Sequence, residues 1–228
     1  MQWTDWAPMD AAIRAEFGYD LAGDQAAARE LHALVPPRNA LRHVGVDVRN
    51  RRNIAVVGAG PSLDRTPPNI LEGKIVVAAD GAVTWLRNNG LVPHVVVTDL
   101  DGQPDDLEWA SKCGAAMVVH AHGDNRQAIA SLAPNLGPLL YGTYQGPPLP
   151  LEPMQNIGGF TDGDRAVVLC EELGARQATL IGFDFDAPPS PYSHKWDPRT
   201  KMAKLAWAEK IVGLVAGRGK MGVQRFVP

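Results

Sequence analysis

From Asn53 onward, short runs of β-branched and other apolar residues alternate with longer stretches in which apolar positions recur at helical spacing. The short runs indicate buried strands, and the longer stretches indicate amphipathic helices. This alternation is typical of βα units, which build a parallel sheet that is buried on both faces. We predict six strands, at 54–57, 75–79, 95–98, 116–119, 139–141 and 179–181. We predict five helices, at 81–89, 104–113, 125–132, 162–173 and 198 to about 215.

Residues 1–50 have a helical pattern and no strand pattern. Met9–Phe17 and Asp24–Leu34 carry Ala, Leu and charged residues at helical spacing, and Pro36-Pro37 ends the pattern. We therefore predict a helical N-terminal segment over 1–50 and an α/β domain over 51–228. Trp3 and Trp6 leave three roles of the segment open: packing on the main domain, covering a site, or joining a second subunit in a homodimer.

The composition excludes several classes of protein. There are 22 Lys plus Arg against 25 Asp plus Glu, so the formal net charge of −3 argues against a non-specific nucleic-acid binder. The longest apolar runs are far shorter than the roughly 18 residues that a membrane span needs, and the first residues do not form a secretory signal. Cys113 and Cys170 are more typical of reduced thiols than of a disulfide framework. We expect a cytoplasmic protein with no membrane partner.

The first strand is followed by a glycine-rich turn, GAGPSL, from Gly58 to Leu63. Such a turn allows close backbone approach to an anion, and we expect it to open a helix whose first amides face a ligand. Gly58, Gly60 and Ser62 are the candidate contacts. A dinucleotide fingerprint is only partly matched because Leu63 stands where a third glycine belongs. A tight βα turn without any ligand would use the same glycines.

Acidic residues follow the second and third strands. Asp80-Gly81 comes after the second strand, and Asp99 and Asp101 come after the third. Ligands of open parallel sheets sit beyond the carboxyl ends of the strands, so these carboxylates should meet there. Unpaired carboxylates about 4 Å apart repel by about 4 kcal/mol at an effective dielectric near 20. Mg²⁺ would reverse that cost. The alternative for Asp99 and Asp101 is a helix cap and a solvated turn.

The fourth strand continues into HAHGDN, residues 120–125. A zinc hydrolase pattern would need a histidine where Asn125 stands, so the zinc interpretation is weak. We expect His122 to contact phosphate or substrate, and Asp124 to join the acidic residues or to cap the next helix. Two histidines at a strand end without any ligand are the alternative.

Polar residues also precede the last two helices. Asn156–Arg165 combines a double glycine with Thr161 and Asp162, one of which can cap a helix while the others can hydrogen-bond a heterocycle. Lys201 and Lys204 begin the last helix on one face, either as cations for a phosphate group or as part of a solvated surface. Two proline-rich stretches, Tyr144–Pro153 and Ala187–Pro198, are expected to be ordered loops or lids.

Taken in order, GAGPSL, ADGA, VVVTDLDG, HAHGDN, GGFTDGDRA and GFDF resemble the archaeal 6-hydroxymethyl-7,8-dihydropterin pyrophosphokinases. The resemblance covers about 53–205. It implies a Rossmann-like three-layer αβα sandwich like the catalytic domain of thiamin pyrophosphokinases. It also implies transfer of the pyrophosphoryl group of ATP to the pterin hydroxymethyl group, with magnesium, in reduced-pterin biosynthesis.

The resemblance assigns roles to the residues that match its motifs. Asp80, Asp99 and Asp101 match positions that hold metal and phosphates, and Asp124 matches an aspartate that would support them or accept the hydroxyl proton. The segment 156–162 and the loop 187–198, with Tyr192, Ser193, His194, Lys195 and Trp196, are the candidates for the pterin pocket and its cover. Gly102 departs from the Ser that thiamin pyrophosphokinases commonly have there.

Two other functions fit part of the pattern. Motility-accessory and sialic-acid glycosyltransferases also carry GPSL turns, and Asp99 and Asp101 would then hold a sugar nucleotide's diphosphate. A non-catalytic nucleotide-binding module fits less well because it gains little from so many like charges.

Overall fold

In the computed structural model of the chain, residues 1–44, 48, 53–187, 192 and 197–228 are described. Their core is one seven-stranded sheet in which every neighbouring pair is parallel, in the order β5-β4-β3-β2-β1-β6-β7. The strands are β1 (Ile54–Val57), β2 (Ile75–Ala79), β3 (Val95–Thr98), β4 (Ala116–Ala121), β5 (Leu140–Tyr144), β6 (Gln177–Ile181) and β7 (Gly222–Arg225).

Eight α-helices surround the sheet in the described part of the chain: α1 (Trp3–Phe17), α2 (Leu21–His32), α3 (Leu41–Val44), α4 (Ala82–Asn88), α5 (Pro104–Lys112), α6 (Arg126–Leu132), α7 (Asp162–Glu172) and α8 (Pro198–Gly217). Buried residues of α2, α4, α5 and α6 form one apolar cluster with the sheet. Those of α1, α3, α7 and α8 form another. The alternating strand side chains face these two clusters, which confirms the predicted three-layer αβα architecture.

All six predicted strands and all five predicted helices are present, with ends that differ by a few residues. The seventh strand, β7, was not predicted because most of its side chains are exposed and it lacks an apolar run. The turn after β1 was predicted to open a helix. It opens the short 3-10 helix Pro61–Arg65 instead, because Pro67 and Pro68 lie too close behind it for an α-helix to extend.

The strand order places a switch of direction beside β1. The chain moves outward from β1 through β2, β3 and β4 to β5, and then returns to β6 on the other side of β1. The connections that leave β1 and β6 therefore run to opposite sides, which makes this the topological switch point of the sheet. In open α/β sheets this is where ligands bind.

The N-terminal helices contribute to the same cores as the rest of the chain. Trp6 and Ile13 of α1 belong to one apolar cluster, and Ala27, Ala28 and Leu31 of α2 belong to the other. The boundary predicted at residue 50 falls among residues outside the described ones, so the division into 1–50 and 51–228 stays a prediction. No helix in the described ranges is long and apolar enough to cross a membrane.

Candidate active site

Four aspartates meet at the carboxyl end of the sheet. Asp80 follows β2, Asp99 and Asp101 follow β3, and Asp162 begins α7. One carboxylate oxygen from each lies within 4.8 Å of the others, and we call these residues the acidic group. They line an open cleft of about 1050 Å³, which also borders the turns after β1 and β6 and the first turns of α8. The expectation that carboxylates of separate strands converge is met for these four residues.

Asp80 is the most deeply placed member, and only 4 % of its surface is exposed. Its Oδ2 accepts hydrogen bonds from the Thr98 hydroxyl at 2.5 Å and from the Gly102 amide at 3.2 Å. Its buried Oδ1 has no hydrogen-bond partner among the described residues. Gly102 is required at this turn, because a Cβ atom there would overlap Oδ1 of Asp80. A buried carboxylate oxygen without a donor is costly unless a proton or a cation satisfies it.

The turn after β3 presents Asp99 and Asp101 together. Leu100 between them has φ of 69°, a left-handed conformation that costs a non-glycine residue of order 1–3 kcal/mol. The turn is held by the Leu100 amide, which donates to the Thr98 hydroxyl at 2.7 Å, and by the Asp101 amide, which donates to Oδ1 of Asp99 at 3.2 Å. Thr98 thus orients both the turn and Asp80.

The start of α7 orients the fourth carboxylate. Thr161 is the N-cap, and Asp164 completes a capping box by accepting hydrogen bonds from the amide and hydroxyl of Thr161; it also accepts from the Phe160 amide. Asp162 is therefore not needed as the cap and lines the cleft. The buried guanidinium of Arg165 lies 3.4 Å from Oδ1 of Asp162 and also donates to the carbonyls of Gly159 and Phe160.

The members of the acidic group differ in their acidity. Burial, followed by the charges of Asp99 and Asp101, raises the pKa of Asp80 to about 8. Burial also raises the pKa of Asp99, but the hydrogen bond from His122 and the charges of His122 and Arg165 outweigh it, so the pKa is lowered to about 2. Asp101 lies on the open side of the group. Partial loss of hydration and the charge of Asp99 raise its pKa to about 6.

The pKa of Asp162 is raised, like that of Asp80. Burial, then the charges of Asp99 and Asp80, raise its pKa well above the ordinary range despite the nearby Arg165. At an effective dielectric near 20, two carboxylates 4.8 Å apart repel by about 3.5 kcal/mol. A divalent cation bound between them would remove that repulsion and lower all these pKa values.

The acidic group fits a metal ion by three observations. All four donors are carboxylate oxygens, the ligands that hard divalent cations prefer. The unpartnered Oδ1 of Asp80 supplies a buried site for coordination. Opposite ligands of an octahedral Mg²⁺ ion lie about 4.2 Å apart, so oxygens no more than 4.8 Å apart need to move little. The group can therefore hold a metal ion.

Two lysines bring positive charge to the opposite wall of the cleft. Lys201 and Lys204 of α8 both line it. Burial lowers the pKa of Lys201, and the charges of Asp101 and Asp162 partly restore it. The Nζ of Lys204 lies 5.7 Å from the centre of the Phe160 ring and 5.9 Å from that of Tyr19. The cleft thus has an acidic floor and a basic wall.

The prediction that the amides of the glycine-rich turn after β1 bind a ligand is wrong. Gly58 and Gly60 line the cleft, but their amides donate to the carbonyls of Ile181 and Gly182, and the Ser62 amide donates to Asp184 at 2.7 Å. These amides are therefore not free to bind a ligand. Close packing explains the glycines, because a Cβ atom at Gly58 or Gly60 would lie 2.8 or 2.6 Å from the Gly182 carbonyl oxygen.

Other expected site residues are placed in different ways. Gly81, Thr161 and Asp162 line the cleft. His122 is half-buried outside the cleft lining, and its Nε2 lies 3.3 Å from Oδ2 of Asp99. Asp124 is exposed and does not join the acidic group, because the 3-10 turn at 123–125 directs it to solvent.

The residues expected to form the pterin pocket lie in different places. Asn156 turns inward, where its side chain donates to the Gly146 carbonyl and accepts from the Gly158 amide. Tyr192 lines the cleft, and its hydroxyl donates to Asp64 at 2.7 Å. Ser193, His194, Lys195 and Trp196 lie outside the described residues.

Comparison with protein families agrees with this geometry. Residues 31–189, more than half of the chain, match the model of the family described as 6-hydroxymethylpterin diphosphokinase MptE-like. The chain belongs to this family.

Relatives of the MptE-like family match nearly the whole chain. The 6-hydroxymethyl-7,8-dihydropterin pyrophosphokinase of Pyrococcus furiosus is 37% identical over 99% of both chains. The protein of the same name from Methanothermobacter thermautotrophicus is 35% identical over 97% of this chain and 98% of its own. Among solved structures, the MAf glycosyltransferase of Magnetospirillum magneticum AMB-1 has a TM-score of 0.50 and 14% identity, covering 88% of this chain and 38% of that one. The likeness to that structure concerns the fold alone.

Sequence reasoning missed the place of Asp162 in the acidic group. Asp162, Thr161 and Asp164 are all suitable capping residues, and the letters do not show which one caps the helix. Lys201 was not missed, since the sequence placed it with Lys204 on one helix face as a candidate cation, and both line the cleft.

Proposed function

We propose that this protein transfers the pyrophosphoryl group of ATP to the hydroxymethyl group of 6-hydroxymethyl-7,8-dihydropterin, with release of AMP. The observation that carries the proposal is the acidic group, with its unpartnered carboxylate oxygen, at the switch point of a chain from the MptE-like family. The names of its relatives support the choice of substrates. Both substrates are small molecules, and together with two free thiols they fit a cytoplasmic enzyme.

The reaction exchanges one bond at phosphorus for another. The acceptor hydroxyl oxygen bonds to the β-phosphorus, the bond from that phosphorus to the α-phosphate oxygen breaks, and the hydroxyl proton is lost. The main chemical demand is stabilisation of charge on the phosphoryl oxygens. The basic wall formed by Lys201 and Lys204 suits the triphosphate.

The acidic group would hold Mg²⁺, with Asp80, Asp99, Asp101 and Asp162 as candidate ligands. When bound, such an ion neutralises phosphate charge and fixes the triphosphate for in-line attack. His122 and Arg165 keep Asp99 ionised, and Thr98 orients Asp80. Asp124 is exposed and outside the cleft lining, so a role for it in accepting the proton is not supported by its position.

The product nucleotide tests the proposal. Purified protein with Mg²⁺, ATP and the reduced pterin alcohol should form AMP and a pterin diphosphate in equal amounts, measured by chromatography. We expect Asp101→Asn to fold normally and to lose most of this activity, because it removes one charge from the acidic group. Release of ADP with a pterin monophosphate would refute pyrophosphoryl transfer.

A glycosyltransferase would behave differently in a binding assay. Thermal unfolding with Mg²⁺ and either ATP, a CMP-sugar or a UDP-sugar compares the ligands directly, since a ligand stabilises the fold that binds it. Of these three ligands, we expect only ATP to stabilise the protein strongly. Stabilisation by a sugar nucleotide in place of ATP would favour the glycosyltransferase.

A further inference from the structure

The turns that follow β1 and β6 form one end of the cleft. The described residues of these turns that line it are glycine, alanine, proline and phenylalanine, together with one ionisable side chain, that of Asp184. A mainly apolar wall that carries one well-placed polar group is typical of a site that orients a small ligand.

The carboxylate of Asp184 is held in one orientation. Its Oδ2 accepts a hydrogen bond from the Ser62 amide at 2.7 Å. A Cβ atom at Gly60 would overlap the same oxygen, so the turn after β1 packs directly against the carboxylate. The side chain is half-buried and lines the cleft, and no described residue donates to its Oδ1. One oxygen therefore fixes the carboxylate, and the other can accept a hydrogen bond from a ligand.

Two aromatic residues flank Asp184 along the chain. Phe183 and Phe185 are buried and line the cleft, and their ring centres lie 6.0 Å apart at an angle of 69°. The Phe183 ring is held between two glycines, because Cβ atoms at Gly58 and Gly163 would lie 3.1 and 3.3 Å from its carbon atoms. Aromatic side chains fixed in this way favour a flat ring system as their ligand.

Asp184 lies within reach of the acidic group across the sheet. Strands β6 and β2 are the two neighbours of β1, so the usual spacing of strands places them about 10 Å apart. Asp184 follows β6, and Asp80 of the acidic group follows β2. Both carboxylates line the same cleft. A ligand of moderate length can therefore contact Asp184 at one end and approach the acidic group at the other.

We infer that Asp184 binds the pyrimidine edge of the pterin ring by accepting hydrogen bonds from the ring N–H and from the adjacent amino group. This inference rests on the proposed function. Oδ1 accepts one of these bonds, and the remaining lone pair of Oδ2 accepts the other. The flat ring then lies against the aromatic residues on either side of Asp184 in the chain.

The length of the acceptor suits this placement. Standard bond lengths put the hydroxymethyl oxygen of the pterin alcohol about 9 Å from the amino nitrogen at the opposite end. The hydrogen bond to Asp184 adds about 3 Å. The sum is comparable with the separation of the strands that carry Asp184 and Asp80, so the hydroxyl group reaches the acidic group.

Asp184 also distinguishes the two substrates. The amino group of adenine lies beside ring nitrogens that are hydrogen-bond acceptors, and a carboxylate is an acceptor as well. The pyrimidine edge of the pterin instead presents two adjacent donors. Asp184 therefore favours the pterin over the base of ATP at this end of the cleft, and the acidic group and the lysines of α8 are left for the triphosphate.

Steady-state kinetics of Asp184→Asn test the inference. The substitution keeps an oxygen for the Ser62 amide but places an NH₂ group opposite the donors of the ligand, so we expect a folded protein whose KM for the pterin alcohol is raised at least tenfold. KM for ATP should change less than twofold. Asp186→Asn is the matched control, because Asp186 is exposed and outside the cleft lining, and both values should stay unchanged. An unaltered KM for the pterin alcohol in folded Asp184→Asn would overturn the inference.

A substrate analogue separates recognition by Asp184 from a structural role. The analogue with hydrogen in place of the amino group lacks one of the two donors, so its KM with the wild type should be at least tenfold higher than that of the pterin alcohol. Asp184→Asn should raise the KM of the analogue less than threefold further, because part of the interaction is already absent. If the substitution raises KM by the same factor for both substrates, Asp184 only holds the turn after β1, and the inference is overturned.

Two further measurements keep the test decisive. If Asp184→Asn does not fold, a crystal structure of the wild type with Mg²⁺ and the pterin alcohol replaces it. An amino nitrogen within about 3.2 Å of the Asp184 carboxylate supports the inference, and a ring bound elsewhere overturns it. If the wild type forms no AMP, the proposed function fails, and calorimetric titration with the pterin alcohol tests Asp184 alone. Binding that Asp184→Asn weakens at least tenfold supports the inference, and equal binding or no binding overturns it.

Discussion

The two oxygens of Asp80 have different surroundings. Oδ2 accepts from Thr98 and Gly102, whereas the buried Oδ1 has no donor among the described residues. Because an unpaired buried carboxylate oxygen is unfavourable, Asp80 is stable either protonated or beside a cation. The first state agrees with its raised pKa of about 8, and the second with its place in the acidic group.

Gly102 makes this arrangement of Asp80 sterically possible. A Cβ atom at position 102 would lie 1.7 Å from Oδ1 of Asp80, whose other carboxylate oxygen is held by the Thr98 hydroxyl. We expect Gly102→Ala to displace the carboxylate and to reduce pyrophosphoryl transfer at least tenfold, while circular dichroism shows a folded protein. A Ser at position 102 would bring the same Cβ atom and would meet the same contact.

Gly213→Ala is the matched control for this prediction. Gly213 lies in α8, and an added Cβ atom there would meet nothing within 4 Å. The substitution should leave activity unchanged and stabilise the helix by about 0.5–1 kcal/mol. Activity of Gly102→Ala close to that of the wild type would show that the position of Asp80 is not required.

At the level of elements, α7 connects the sheet to the acidic group. Thr161 and Asp164 form its capping box, which leaves Asp162 free to line the cleft. Arg165 is 2 % exposed and brings a positive charge beneath the acidic group. Its contacts with the carbonyls of Gly159 and Phe160 also fix the segment that leads into the helix. One helical turn therefore shapes this side of the cleft.

The sequence was sufficient to predict the elements whose side chains are buried. Strands β1 to β4 are mainly apolar and rich in β-branched residues, and such short runs between turns are typical of buried strands. Strand β7 lacked this signal because it is an exposed edge strand, formed when residues 222–225 pair with β6. Pairing with a distant strand leaves no local pattern.

The site was predictable only in part for a related reason. Asp80, Asp99 and Asp101 were found because each follows a strand, and parallel strands end at the same edge. The convergence of Asp162 depends on which residue caps α7, and the engagement of the Gly58, Gly60 and Ser62 amides depends on contacts with β6 and its loop. Asp124 shares the strand-end pattern but is directed to solvent by a local turn.

For the molecule as a whole, the switch point and the N-terminal helices define the catalytic region together. The strand order places the switch point beside β1, and α1 packs into one apolar cluster on the sheet while α2 packs into the other. Four residues of α1 line a small hollow together with Phe160, which also lines the cleft. The N-terminal segment is thus part of the architecture that surrounds the site.

The acidity of Asp80 predicts how stability depends on pH without metal. Its pKa is about 8 in the folded state and 3.8 in the unfolded state, so the folded protein binds more protons between these values. Stability must therefore decrease as pH rises toward 8, by up to about 1.4 kcal/mol per pH unit. Asp162 acts in the same direction. Chemical denaturation between pH 6.5 and 8.5 in EDTA measures this loss.

Two comparisons, with added Mg²⁺ and with Asp80→Asn, isolate the contribution of Asp80. The pKa of the buried His120 is lowered in the folded state, so His120 opposes this trend, but only weakly above pH 6.5, because the unfolded imidazole is then losing its last proton. Mg²⁺ should restore stability most strongly at pH 8.5, where Asp80 is ionised, and Asp80→Asn should reduce the pH dependence. A metal-free stability that rises between pH 6.5 and 8.5 would contradict the assigned acidity.

The central claim is that the acidic group binds a divalent cation that carries the triphosphate. Anomalous scattering from crystals grown with Mn²⁺ and a non-hydrolysable ATP analogue tests it most directly. The account predicts a manganese peak within bonding distance of Asp80 Oδ1 and of phosphate oxygens, between the acidic group and the lysines of α8. An analogue bound in the cleft with no peak at these carboxylates, or with manganese elsewhere on the protein, would contradict it.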